Sequence, residues 1–447
     1  MFRFRKNCYA DVRIEKRFET RISIRDGNLE ECRTPHSERA FLRLYDGKMW
    51  YYTSTSDAEN VQNELDQLYA AAQDADVSDD PAVRAFEVHQ AEQIRFADCS
   101  VADISAEDKI KLLRRAAEAA ASAGAEVRMV MASYIDRHSD YRFYSSKGAD
   151  IKYDFQTCGI NCSFALAEGE KSLQNAYQTS DIRFSDLAAK DIETEIREDI
   201  AENIRFMKYA KPVQPGEYPV ILSPLVAGVF AHESFGHKSE ADFMIGDEAM
   251  KREWTLGTKV GSDILSIYDS GKEFGSGYVP FDDEGTEAHK TYLIKNGVLS
   301  GRLHSAATAV ELGESPTGNA RAVSCDFEPI VRMTNTVIDP GTLTKEQLFS
   351  GVEHGYFIKD LKHGSGMSTF TIAPAICYEI EDGKIGAPVR ISVITGSVFE
   401  TLRLVDGLSD RTELFSFVTG GCGKMEQYPL NVGFGGPYVR VSKMKVQ

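Results

Sequence analysis

The sequence predicts an α+β protein. An N-terminal α/β domain of antiparallel strands and helices, residues 1–210, is followed by a mainly antiparallel β domain, residues 211–447, that carries one short buried helix. Three observations predict this. Asp-Gly and Asn-Gly pairs between alternating apolar stretches recur in both halves, the signal of tight hairpins. Amphipathic helical spacing is concentrated between residues 58 and 208. A break, Lys211-Pro212-Val213-Gln214-Pro215-Gly216, separates the two patterns. A length of 447 residues fits two or three domains, and 42% hydrophobic content is ample for their cores.

Residues 11–56 read as antiparallel strands, turned at Asp26-Gly27 and Asp46-Gly47. Ala58 to Ala75 has helical spacing. So does Ser105 to Ser122, with Ser105 as cap and acidic residues in the first turn. A strand pair is expected from Ala125 to Ala165 around Lys147-Gly148. The helix from Asp191 to Lys208 places Ile192, Ile196, Ile200 and Ile204 in one stripe. Tyr218 to Leu222 reads as a strand. Ser223 then suits a helix N-cap and Pro224 the first turn. Further turns are expected at Asn296-Gly297 and Asp382-Gly383, and a helix from Glu346 to His354.

A net charge of −17 repels a phosphate backbone, and no long Lys/Arg block offers a local exception, so no direct nucleic-acid partner is expected. No apolar run reaches the length of a membrane span. The N-terminus Met1-Phe2-Arg3-Phe4-Arg5-Lys6 leads into charged sequence without a signal-peptide core, and unpaired thiols fit a cytoplasmic location.

The most informative run is His232-Glu233-Ser234-Phe235-Gly236-His237. Neutral imidazole is a common zinc ligand, and a carboxylate beside it can serve as the base for a water molecule at the ion. The histidines are five apart, one more than in the common helical zinc motif. On a regular helix they would point about 140° apart. A π-turn brings positions five apart onto one face, so the helix is expected to bulge or end between Ser234 and His237. Leu225, Val226, Val229 and Phe230 precede the run, so a buried core helix without a metal is the competing reading. A catalytic zinc ion ordinarily has three protein ligands. Most of the 8 cysteines lie in strand-like apolar surroundings. Cys422 lies instead in Thr419-Gly420-Gly421-Cys422-Gly423-Lys424, where glycines permit close approach, and it is a candidate third ligand whose pKa Lys424 and a metal would lower. A phosphate loop is rejected there, because Met425 stands where Ser or Thr is required.

From about Lys211 onward the chain resembles the TldD/PmbA family of zinc metalloproteases, also called modulators of DNA gyrase. The resemblance rests on Gly228-Val229-Phe230-Ala231-His232-Glu233-Ser234-Phe235-Gly236-His237, Asp282-Asp283-Glu284-Gly285-Thr286, Pro316-Thr317-Gly318-Asn319, Arg332-Met333-Thr334-Asn335-Thr336 and Gly421-Cys422-Gly423-Lys424, in that order. It implies that His232, His237 and Cys422 bind zinc, that Glu233 is the catalytic base, and that the substrate is an unfolded peptide held extended in a groove. It also implies a dimer, either of this chain or with an inactive PmbA/TldE-like relative. The stretch Lys238-Ser239-Glu240-Ala241-Asp242 departs from the commoner glycine-rich pattern. Asp282-Asp283-Glu284 reads as a solvated turn, with a role behind the histidines as the alternative. Arg321 and Arg332 read either as surface residues or as a clamp for a peptide carboxylate. Gly420 to Gly423 offers a sheet edge for a peptide. Two rivals to a peptidase stand: a non-catalytic peptide-binding or partner-stabilising subunit, and a zinc amidase or deacetylase.

Overall fold

The computed structural model describes residues 2–57 and 59–447. The N-terminal half is built on strands β1 (Tyr9–Arg25), β2 (Asn28–Arg33), β3 (His36–Tyr45), β4 (Trp50–Thr55), β5 (Gln90–Gln93), β6 (Val127–Ser145), β7 (Asp150–Glu168) and β8 (Lys171–Asp181). They form one sheet in the order β4-β3-β1-β6-β7-β5, with β2 on β1 and β8 on β7. Only β5 and β7 pair in parallel. The expected turns form. Asp26 and Gly27 have φ of 45° and 82°, the two left-handed residues that a tight hairpin requires. Asp46 accepts the N–H groups of Lys48 and Met49 and so holds the β3–β4 turn.

Two helices cover one face of this sheet. Ser105 caps Ala106–Ala121 by accepting the Asp108 N–H, and Asp191 caps Ile192–Tyr209 by accepting the Thr194 N–H. Ile192, Ile196 and Ile200 are buried against Leu113, Tyr134 and Cys162, with Ile204 at the margin. The helix expected from Ala58 to Ala75 is shorter, Val61–Ala71. Its buried stripe of Val61, Leu65, Leu68 and Tyr69 has no large apolar successor at helical spacing, and Ala72 is already extended. Ala58 lies outside the described residues.

The C-terminal half holds two large sheets and two two-stranded ones. Gly216–Leu222 pairs in parallel with His354–Gly366 and antiparallel with Val439–Val446. Val439–Val446 pairs with Ile394–Ser397, which pairs with Thr369–Glu381, and that strand returns to His354–Gly366. Five strands therefore close into a ring, which leaves fewer open edges. The helix expected from Glu346 to His354 is Lys345–Ser350 instead, because His354 opens a strand of this ring. The second sheet includes Asn335–Ile338, Gly433–Gly436 and Glu413–Ser416. Between the two sheets lies the helix Pro224–Ala231, with Val226 and Phe230 buried in the shared core. Ser223 accepts the Val226 N–H and Pro224 opens the helix, as expected. Gly228 lets it approach the second sheet closely: a Cβ there would lie 2.6 Å from the Gly435 nitrogen.

Buried charges join the halves. Arg43 of β3 pairs with Asp11 of β1 at 2.8 Å and with Glu284 at 3.0 Å, and Arg13 pairs with Asp283 at 2.8 Å. The turn at Asp282-Asp283-Glu284 is thus neither solvated nor behind the histidines. Its carboxylates face arginines of the first sheet and main-chain amides of Ala306, Ala320 and Ala322. The arginines that neutralise it, Arg43 and Arg13, lie more than 200 residues earlier in the chain, where no local pattern announces them.

Candidate metal centre

The helix Pro224–Ala231 widens into a π-turn over His232–Gly236 and then tightens into a 3₁₀ turn, His237–Ser239. The distortion was expected, though it begins at His232 rather than after Ser234. It has the predicted consequence: the rings of His232 and His237 come together edge to face, with centroids 5.2 Å apart. Gly236 is needed here for space. A Cβ on it would fall 2.0 Å from Met333 Sδ.

Cys422 arrives from the hairpin Cys422–Lys424/Gln427–Leu430. Its Sγ lies 3.4 Å from His237 Nε2. The donor atoms of His232, His237 and Cys422 all lie within 4.8 Å of one another, the one such cluster among the described residues. The Cys325 thiol is buried beside Arg13 and does not join it. Burial alone would raise the Cys422 thiol, but the charges and hydrogen bonds of His232 and His237 lower it to about 5. Burial alone would lower the His237 ring, but hydrogen bonds with Cys422 and Glu240 raise it to about 10. The site therefore favours the thiolate, the form in which sulfur binds metals. The buried Nδ1 of His232 has no hydrogen-bond partner. An orphaned imidazole nitrogen beside a second imidazole and a thiolate is a donor set suited to zinc.

Glu233 sits on the wall of a cleft of about 1070 Å³, with His232 and Cys422. N-terminal residues line it as well: β8 from Gln174 to Gln178 and the helix residues Asp199 and Glu202. Leu361 to Gly364 also line it. The cleft thus needs both halves of the chain.

Three residues have other places than the sequence suggested. The Lys424 ammonium reaches Asp242 and Glu240 rather than the Cys422 sulfur, so the histidines, not Lys424, are what lower the thiol. Arg321 and Arg332 are neither surface residues nor a free clamp. Arg321 donates to the carbonyls of Met333 and Asn431, and Arg332 to those of Gln427 and Cys422. Glu240, which sequence reasoning passed over, accepts a hydrogen bond from His237 Nδ1 at 3.3 Å. Its spacing of three from His237 was the available signal, since residues three apart share one helical face.

Comparison with known proteins agrees with this architecture. Three family models match in order: PmbA/TldA metallopeptidase domain 1 over residues 10–75, the central domain over 99–205 and the C-terminal domain over 215–447. A metalloprotease of Methanothermobacter thermautotrophicus is 30% identical over 444 residues, 98% of this chain and 95% of that protein. The zinc metalloprotease TldD homolog of Saccharolobus solfataricus is 30% identical over 344 residues, 76% of each chain. Among solved structures, a candidate modulator of a DNA gyrase from Thermotoga maritima has a TM-score of 0.79 at 18% identity, covering 98% of this chain and 96% of its own. TldE of Thermococcus kodakarensis has a TM-score of 0.76 at 16% identity, with the same coverage. Matched by its models along most of its length, and aligned end to end with a metalloprotease, the chain belongs to the PmbA/TldD metallopeptidase family.

Proposed function

We propose that this chain is a zinc-dependent peptidase that hydrolyses extended peptides, with His232, His237 and Cys422 as the metal ligands and Glu233 as the general base. One observation carries the reading: two imidazoles and a sulfur 185 residues away meet within 4.8 Å, beside a carboxylate on the wall of a large cleft. Zinc held there would polarise a carbonyl and acidify a water molecule. Glu233 takes a proton from the attacking water and delivers it to the nitrogen of the leaving amine as the C–N bond breaks. The thiolate of Cys422 offsets part of the ion's charge. The edge of the strand His354–Gly366 suits an extended peptide, because its parallel pairing ends at Ile358. Gly364 and Gly366 bring that edge against Glu233: a Cβ on Gly364 would lie 3.3 Å from Glu233 Cγ. Gly421 and Cys422 line the same cleft.

The reading extends to the division of labour at residues 1–210 and 211–447, the second part holding the ligands and the first closing the cleft. It includes a cytoplasmic location, supported by the unpaired thiols. It also includes pairing of subunits, this chain with itself or with a PmbA/TldE-like relative, supported by the likeness to TldE. With a net charge of −17, any bearing on DNA gyrase would run through a peptide rather than through DNA.

The test is Glu233→Gln. Hydrolysis of a disordered peptide should disappear while zinc content stays near one ion per chain. Retained hydrolysis in that variant, or a wild-type chain that takes up no zinc, would overturn the reading.

A further inference from the structure

The three donors come from two pieces of chain with no covalent reason to meet. His232 and His237 belong to the helix and its continuation, and Cys422 belongs to a hairpin near the C-terminus. A buried ion pair spans the gap. Glu240, three residues past His237, is fully buried and accepts from His237 Nδ1 at 3.3 Å. Lys424, two residues past Cys422 and hence on the same side of its strand, puts its ammonium 3.1 Å from the same carboxylate oxygen. That ammonium also donates to both oxygens of Asp242, at 2.7 and 2.8 Å, and to the carbonyl of Val331 at 2.9 Å. The Lys424 side chain is only 2% exposed.

We propose that Lys424 and Glu240 form a latch that closes the metal centre, locking the hairpin bearing Cys422 onto the helix bearing His237 and fixing which ring nitrogen of His237 faces the sulfur. The inference rests on the metal-centre reading above. The geometry states the mechanism. With Nδ1–H committed to Glu240, Nε2 is the nitrogen turned to Cys422. Outer carboxylates of this kind fix the tautomer and orientation of a ligand imidazole. Burying the Glu240 carboxylate is costly unless a cation meets it. Lys424 is that cation, and it is carried by the strand that brings the third donor. Arg332 grips the hairpin main chain separately, donating to the carbonyls of Cys422 and Gln427. Loss of Lys424 should therefore leave the hairpin folded but its Cys422 face loose. Both residues are positioning residues.

The experiment measures metal affinity and spectrum rather than turnover. In Lys424→Met, zinc affinity from chelator competition should fall roughly 10- to 100-fold, the usual effect of removing an outer partner. With cobalt(II), its thiolate-to-metal absorption per bound ion should also weaken. In Glu240→Gln affinity should fall, but the thiolate absorption should persist, because Lys424 remains tied to Asp242. If Lys424→Met does not fold, Glu240→Gln/Lys424→Met removes both charges and strands no buried carboxylate; it should bind zinc more weakly than Glu240→Gln alone. Wild-type affinity and an unchanged thiolate band in Lys424→Met would overturn the latch and leave the metal centre standing. So would a double variant that binds as tightly as Glu240→Gln. A wild-type chain that binds neither ion would overturn the metal centre itself, and the latch with it.

Discussion

At Cys422 the surroundings settle the chemistry. Five of the other seven cysteines, Cys8, Cys158, Cys162, Cys325 and Cys377, are buried, and burial raises each thiol. Cys422 is buried too, yet two imidazoles reverse the direction. Cys422→Ser should therefore weaken zinc binding by more than the roughly 10- to 100-fold that an outer partner is worth, as read by chelator competition. A second titratable residue speaks about stability. Burial, then the charges of Asp360 and Glu202, raise the Asp199 carboxyl on the cleft wall to about 7, against a usual 3.8. Between those values the folded chain holds a proton that the unfolded chain has released. The stability is thus greatest below about pH 4 and is lost as pH rises through about 7. Asp199→Asn should stabilise the fold, by an amount that grows from about pH 4.5 to about pH 7.5 and reaches roughly 1 to 3 kcal/mol, read from melting at each pH. A gain that does not vary with pH would contradict this.

At the scale of the element, the spacing of five between the histidines and the π-turn are one fact seen twice. The turn survives because the chain around it leaves room. Gly228 lets the helix touch the Gly433–Gly436 strand, and Gly236 clears Met333. Gly236→Ala should cost about 1 to 3 kcal/mol by overpacking, seen as a lower melting temperature together with reduced zinc content. Adding Met333→Ala should recover part of both, since it removes the atom in the way. The same element shows what was legible. Ser223, Pro224, the apolar face and the distortion could all be read from consecutive residues, because caps and helical spacing are local. Glu240 was readable by spacing but carried no sign of its partner, which lies on another strand.

For the whole molecule, the decisive contacts are the buried charges between the halves. Arg43 meets two carboxylates, one from each half, with all three side chains nearly fully buried. Removing one partner of such a group strands the others, a loss of about 3 to 5 kcal/mol. Arg43→Met should lower the melting temperature accordingly. Arg33→Met, which removes the exposed pair with Glu31, should leave it unchanged. If the two variants melt alike, the seam does not hold the halves in the way described here. The cleft, too, is lined from both halves, by β8 and Asp199 of the first and Glu233 of the second.

The sequence by itself determined the hairpins at Asp26-Gly27, Asn296-Gly297 and Asp382-Gly383, the capped helices, the π-turn, and the two imidazoles with a neighbouring carboxylate. Each depends on backbone preferences or side-chain spacing within a few residues. It also singled out Cys422 by its glycine-rich setting. Only the tertiary structure decided that this sulfur lies 3.4 Å from His237, that Lys424 turns to Glu240, and that Asp283 and Glu284 neutralise arginines of the first sheet. Those pairings join residues far apart in the chain, and what selects them is the cost of burying a charge without its counterpart, which arises only once the chain is folded.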